Sequence, residues 1–378
     1  ALAAVGATGS LFNLIVNLFM GLSVGTAVIV AQDYGARRVE GIRQSVHTSI
    51  AVSLIGGGVA TAIGLSFCAP LLRWMGTPED IIGLSTLYMR IVFAGMPASM
   101  VFNFGAAILR AVGDSRRPMY FLVVSGAVNV VFNLFFVAVL RLGVAGVGWA
   151  TVISQYLALI LIMISLSRQE GALRFQWQRL KIHRQKLVQL LRIGVPAGLQ
   201  SVLFSISNVL IQSAVNSFGT TMVAASAASS NVENLVATPM NAYYQAAITF
   251  TGQSMGAEDY DRIDRIAKNC TALVFVTWLI LGGITLSFGR TLLAFYTTDP
   301  AVIELGMRRM KVLMSLYFTC GIMNVFPGLT RAMGYSVLPM LSTLVGACLL
   351  RIVWLATVFR LYPTQLVLFA VYPVTWTI

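Results

Sequence analysis

Any chemistry in this 378-residue chain must come from few ionisable side chains: 13 Asp and Glu, 26 Lys and Arg, and 2 His. Asp33, Glu40, Asp114, Glu170, Glu258, Asp259, Asp261 and Asp264 fall in polar stretches of one set. Glu79, Asp80, Asp299 and Glu304 fall in or beside stretches of the alternate set. Only Glu233 is left inside an apolar run. A carboxylate at the centre of a bilayer costs on the order of 2.5–3.5 kcal/mol by insertion scales, so it should face a protein interior or water. Such a lone acid suits proton exchange, which makes Glu233 the candidate ion-coupling residue. The competing reading is a hydrogen bond that packs two helices.

Amides form a second set. Asn103, Asn324, Asn208, Gln212, Asn231, Asn234, Asn241 and Gln245 all lie in apolar runs. Asn234, Asn241 and Gln245 stand seven and then four residues apart, so they share a helical face with Tyr244 beside it. A polar face on a membrane helix must avoid lipid, so it lines a cavity or meets another helix. Asn103, Asn324, Asn208, Gln212, Asn234, Asn241, Gln245, Tyr244 and Tyr317 are the candidate substrate-cavity residues. Met96, Met100, Met240 and Phe104 could add an adaptable apolar wall. Nothing points to an enzyme: there is no Walker loop and no HExxH. The 4 Cys make no CxxC pair and the 2 His are far apart, so neither a metal nor a cofactor is expected beyond a coupling H+ or Na+.

The elements that must position these residues follow from composition. The chain is 57% hydrophobic and only 10% charged, with a mean hydropathy of +0.82. A soluble domain carries about 25% charge, and disordered chains are apolar-poor. Barrel strands alternate over about 10 residues, whereas the runs here are continuous and longer. The class is an all-α polytopic membrane protein. Eleven apolar segments are expected, at about 4–31, 46–70, 84–109, 118–140, 144–167, 188–217, 222–252, 268–289, 302–330, 336–360 and 364–378. Of the 26 basic residues, 17 fall on one side and 9 on the other, the latter including Arg308, Arg309 and Lys311. The richer side is cytoplasmic by the positive-inside rule, and the net charge of +13 is read as orientation rather than nucleic-acid binding. The expected division is 1–167, a cytoplasmic linker at 168–187 whose aromatics rest at the interface, and 188–378. Both chain ends fall in apolar runs, so the sequence is expected to be a fragment.

The chain also repeats itself at an offset of 221 residues. Arg110-Ala111-x-Gly113-x-Ser115-x-x-Pro118-Met119 falls on Arg331-Ala332-x-Gly334-x-Ser336-x-x-Pro339-Met340. Gln32-x-x-Gly35-Ala36 falls on Gln253-x-x-Gly256-Ala257, Asn103 on Asn324, and Phe12 on Glu233. The offset covers six spans, an even number, so the copies are parallel. Gln32, Gly35, Arg110, Gly113, Gln253, Gly256, Arg331 and Gly334 form a cytoplasmic-loop motif. There Gly35 and Gly256 should supply left-handed helix caps, and Arg110 and Arg331 should sit in the turns, against the helix dipole.

With these motifs, and with Ala1-Leu2-Ala3-Ala4-Val5, Leu109-Arg110-Ala111-x-Gly113-Asp114 and Gly194-Val195-Pro196-Ala197, the sequence resembles the multidrug and toxic compound extrusion (MATE) family. The resemblance implies a V-shaped fold of twelve helices, about eleven of them here, with the first missing and the last truncated. It implies a multi-pass plasma-membrane antiporter that exports amphipathic, often cationic molecules for H+ or Na+ by alternating access. Its partners would be a small organic substrate and lipids, with no nucleic acid, and it would be a monomer. Many relatives carry an acid in the first helix, which this sequence lacks; segments 188–217 and 302–330 also lack inner acids. The alternatives are a lipid-linked-oligosaccharide flippase of the same fold, which should show a cationic cavity, and a membrane scaffold or receptor without transport.

Overall fold

The computed structural model describes residues 2–74 and 79–377, with side chains for 16–70, 72–73 and 82–377. The side chains of Phe12, Ala3, Ala4, Glu79 and Asp80 lie outside that range. The described residues are helical almost throughout. The helices are α1 Leu2–Gly35, α2 Val39–Trp74, α3 Glu79–Ala94, α4 Met96–Ala111, α5 Arg116–Leu134, α6 Gly143–Ser167, α7 Arg184–Asn216 and α8 Thr220–Gly256. They continue as α9 Tyr260–Thr277, α10 Gly283–Ser287, α11 Gly289–Ala294, α12 Pro300–Ser315, α13 Tyr317–Ala332, α14 Val337–Thr343, α15 Leu350–Ala356, α16 Val358–Leu361 and α17 Gln365–Thr377. Among the described residues, seven helices are long and apolar enough to cross a bilayer, and two bent pairs raise this to nine. α8 has the length at 37 residues, and its Ser, Thr and Asn content makes it the more polar helix. With the short α17, every expected segment is present.

Two compact units divide the chain at Gly198, inside α7. In the first, small residues let helix backbones touch, as membrane helices require. A Cβ on Gly21 would stand 2.2 Å from the Gly198 Cα, and one on Gly57 2.5 Å from the Pro97 Cα. Phe93, Met96, Met100, Met89 and Cys68 fill the core between α2, α3 and α4. α5 buries only Pro118 and Ser125, as a lipid-facing helix should. In the second unit, Val236, Met240, Val274, Leu313, Met314, Val325 and Phe369 form the main core around α8, α9, α12, α13 and α17.

The repeat is written into the backbone. The α3/α4 break at Gly95 bends the pair by 42°, and the α12/α13 break at Leu316 by 51°, at positions 221 apart. Gly113 (φ +96°) and Gly334 (φ +98°) close α4 and α13 with paired cap bonds, Asp114 N to Leu109 O at 3.0 Å and Tyr335 N to Thr330 O at 2.9 Å. This is the Schellman geometry. The caps after α1 and α8 differ from expectation. Gly35 and Gly256 are still helical, and the left-handed positions are Arg37 (φ 53°) and Glu258 (φ 59°). Arg38 N to Asp33 O (2.9 Å) and Asp259 N to Ser254 O (3.0 Å) fix that register. The helices therefore run further than the glycines suggested.

Two charges leave their expected loops. Asp33 lies in the last turn of α1, 5% exposed, where it pairs with Lys186 at the start of α7 and accepts from Ser45 Oγ at 2.7 Å. Arg331 is 5% exposed and points inward rather than into its turn. Residues 168–183 form a strap with two short 3₁₀ turns, Gly171–Leu173 and Trp177–Arg179. Phe175 is not interfacial: it is buried and stacks on His47 at 5.3 Å. Trp177 is the aromatic left exposed.

Candidate functional site

The site is built in the second unit, around the acid singled out from sequence. Glu233 lies 13 residues into the 37-residue α8, below Ser226 and Ser229 on the same helical face. It is buried but it is not alone. Arg309 of α12 donates Nη1 to Oε1 at 2.7 Å and Nη2 to Oε2 at 3.3 Å. The same guanidinium donates to Ser229 Oγ at 2.6 Å and to the Ser226 carbonyl at 3.3 Å. This overturns two sequence readings: a lone acid in the span, and Arg309 as an outer-loop residue. Arg309 sits nine residues into α12 and inside the apolar segment that begins near 302, and that position is the signal which could have identified it. Its neighbours Arg308 and Lys311 disguised it as a member of a basic loop. Glu304 takes the expected exposed role, with Arg290 at 3.1 Å and Arg308 at 3.6 Å.

A second buried cation stands close by. Arg351 of α15 is 0% exposed. It donates to Asn208 Oδ1 (2.8 Å), Ser207 Oγ (3.3 Å) and Thr375 Oγ1 (3.4 Å). Its guanidinium carbon lies 5.0 Å from the Phe204 ring centre and 5.2 Å from that of Tyr372. The Arg309 guanidinium lies 5.8 Å from the same Tyr372 ring. Two arginines therefore share one aromatic ring, whose quadrupole offers each of them negative potential. Tyr372 and Tyr317 both pack on Trp376, at 5.8 and 5.3 Å. Among the described residues Arg351 makes no ion pair, so this interior holds two guanidiniums and one carboxylate.

The structure gathers some of the candidate residues and separates others. Glu233, Asn208 and Tyr317 belong to this cluster. Asn234 and Asn241 lie exposed on one side of α8, next to half-buried Gln245. Tyr244 instead serves the cytoplasmic end, where Arg331 donates Nη1 to its hydroxyl at 2.6 Å and Nη2 to Gln200 Oε1. Gln212 is exposed and bonded to Asn216 Oδ1 at 2.9 Å. The repeat mates make the same bond: Asn103 Nδ2 donates to the Ser99 carbonyl and Asn324 Nδ2 to the Cys320 carbonyl, both at 2.8 Å. Asn103 also lines a narrow pocket with Met96, Met100 and Phe19, in the first unit. Tyr372 and Thr375 carried no signal in the sequence. They are ordinary residues of an apolar helix until the fold sets them beside the arginines.

Comparison with known proteins agrees with this architecture. The MatE family model matches residues 1–135 and 196–357. The chain is 30% identical over 341 residues to the probable multidrug resistance protein YoeA of Bacillus subtilis, covering 88% of this chain and 74% of that one. It is 24% identical over 362 residues to an FAD transporter of Shewanella oneidensis, covering 94% and 79%. Among solved structures, an outward-facing multidrug resistance MATE transporter of the MOP superfamily superposes with a TM-score of 0.92 at 23% identity, over 99% of this chain and 84% of that one.

Proposed function

This chain belongs to the MatE family, and from that premise we propose that it is an exporter of amphipathic small molecules driven by proton entry at Glu233. It is a multi-pass membrane protein whose named relatives include multidrug resistance and export proteins. The observation that carries the reading is the bidentate Glu233–Arg309 pair inside the second unit. A proton on the carboxylate cancels the charge that holds Arg309. The guanidinium then keeps only Ser229, Ser226 and the Tyr372 ring, so α8 and α12 lose their strongest tie. Two packings separated by one proton are what alternating access requires. Na+ fits this arrangement less well, because both carboxylate oxygens already face a guanidinium and a second cation would be repelled. The exposed Asn234 and Asn241 beside Gln245 on α8 supply the polar wall for the cargo.

Transport into everted vesicles, with pH and Na+ gradients imposed separately, tests the reading. Ethidium uptake should follow the pH gradient and vanish in Glu233→Gln with the protein still in the membrane. Sodium-driven uptake, or full activity in that variant, refutes it.

A second reading has an observation of its own. Two buried arginines against one carboxylate give this cluster a net positive charge. That favours cargo with an anionic group, including the flippase alternative. A zwitterionic fluoroquinolone should then outcompete ethidium for export, and Arg351→Gln should reverse the order.

A further inference from the structure

A second polar site lies in the first unit, away from the charge cluster and independent of the transport reading. It is a pocket of about 390 Å³ between the first turns of α2 and the strap. Glu40, Arg43 and His47 line one wall and Arg179, Lys181 and His183 the other. The acid in this wall is already neutralised: Glu40 accepts from Arg43 Nη1 at 3.1 Å and from Gln44 Nε2 at 3.3 Å. Arg179 and Lys181 are exposed and make no ion pair among the described residues. The pocket therefore carries two uncompensated positive charges and lies beside the positive N-terminal end of α2.

The strap that carries these charges is fixed through its backbone. Phe175 N donates to the Leu166 carbonyl at 3.0 Å, Gln176 N to His47 Nε2 at 3.2 Å, and His183 N to Thr48 Oγ1 at 3.1 Å. Because Nε2 accepts, His47 Nδ1 is the donor to the Arg43 carbonyl at 2.8 Å, so both ring nitrogens clamp backbone. Arg179 and Lys181 thus project from a preformed wall, which lowers the entropy cost of gripping an anion. Trp177 (62% exposed) and Ile182 (39% exposed) flank them. An exposed aromatic and an aliphatic side chain next to paired cations form the pattern of a segment seated at a membrane interface. By the charge bias of the loops, that interface is cytoplasmic.

We propose that this pocket binds a phosphate group of net negative charge, supplied by the headgroup of an anionic phospholipid of the cytoplasmic leaflet. The phosphate oxygens take the Arg179 and Lys181 donors, while Trp177 and Ile182 meet the lipid. The strap leads directly into α7, whose Lys186 pairs with Asp33. An occupied pocket therefore steadies the start of the helix that continues past residue 198 into the second unit.

The test is thermal unfolding of the full chain in neutral detergent. Short-chain phosphatidylglycerol, short-chain phosphatidylcholine and inorganic phosphate are titrated separately. Phosphatidylglycerol should raise the midpoint saturably, phosphatidylcholine should not, and inorganic phosphate should act only at far higher concentration. Each basic residue at a membrane surface contributes roughly fivefold in affinity, so Arg179→Gln with Lys181→Gln should weaken the phosphatidylglycerol response about 30-fold. The paired change Arg262→Gln with Arg265→Gln, also exposed and basic but on α9, should leave it unchanged. Inorganic phosphate as potent as the lipid, and equally sensitive to the strap variant, would refute the lipid source. Equal responses in wild type and strap variant, or equal losses in both double variants, overturn the site itself.

Discussion

Removing either partner of the Glu233–Arg309 pair, and then both, measures what the pair contributes. Breaking a buried ion pair from one side costs about 3–5 kcal/mol, because the remaining charge is stranded, whereas replacing both partners is often neutral. The surroundings set where each single change falls. In Glu233→Gln, Arg309 keeps Ser229 Oγ, the Ser226 carbonyl and the Tyr372 ring, so the loss should lie near the lower figure. In Arg309→Met the carboxylate loses both guanidinium donors, so the loss should lie near the upper one. The double variant should recover most of the deficit. For 150–250 residues a kilocalorie per mole moves the midpoint by about 2–4 °C, and the second unit, residues 199–378, falls in that size range. The single variants should therefore melt roughly 6–20 °C below wild type, with the double variant within a few degrees of it. The assay is tryptophan-detected unfolding in one detergent at one pH. Single losses that add within about 0.5 kcal/mol would show no coupling and refute the argument.

Three further outcomes follow from the first unit. Gly21→Ala places a methyl 2.2 Å from the Gly198 backbone and must push the two helices apart; overpacking of this kind costs about 1–3 kcal/mol, read as a lower melting temperature, whereas Gly58→Ala, which meets nothing within 4 Å, should be silent. Asp33→Asn leaves Lys186 without its carboxylate in a largely buried pair, so hydrogen exchange should speed up in the first turns of α7 while the rest of that helix is unchanged. His47→Phe keeps an aromatic surface for Phe175 but removes the acceptor for Gln176 N; limited trypsin digestion at Arg174 and Arg179 should accelerate several-fold, and an unchanged cleavage rate would mean that the clamp is dispensable.

Much of the scaffold was legible because a bilayer permits few solutions. Continuous apolar runs fixed the helices, and the 221-residue offset fixed which helices correspond. The correspondence extends to places where the residues have diverged: Gly95 and Leu316 sit at matching breaks although one is glycine and the other is not. What the sequence concealed was the direction of side chains. Arg309 lies next to Arg308 and Lys311, and only the helix phase turns it inward while Arg308 reaches Glu304 in solvent. Asp33 reads as a loop residue only if α1 stops short of it, and the cap at Arg37 shows how the helix runs on. Tyr372 and Arg351 come together from different helices, a pairing that no local spacing encodes.

The depth of Glu233 has an electrical consequence. The acid stands 13 of 36 steps along α8 from its outer end, roughly a third of the way. On the proposed proton route, a proton entering from outside would cross about that share of the membrane voltage before it binds. With about 2.3 kcal/mol per elementary charge per 100 mV, this amounts to roughly 0.8 kcal/mol at 100 mV, a fourfold gain in occupancy. The voltage alone would thus load the acid more readily in an energised cell than in a de-energised one, even with no difference in pH between the two sides.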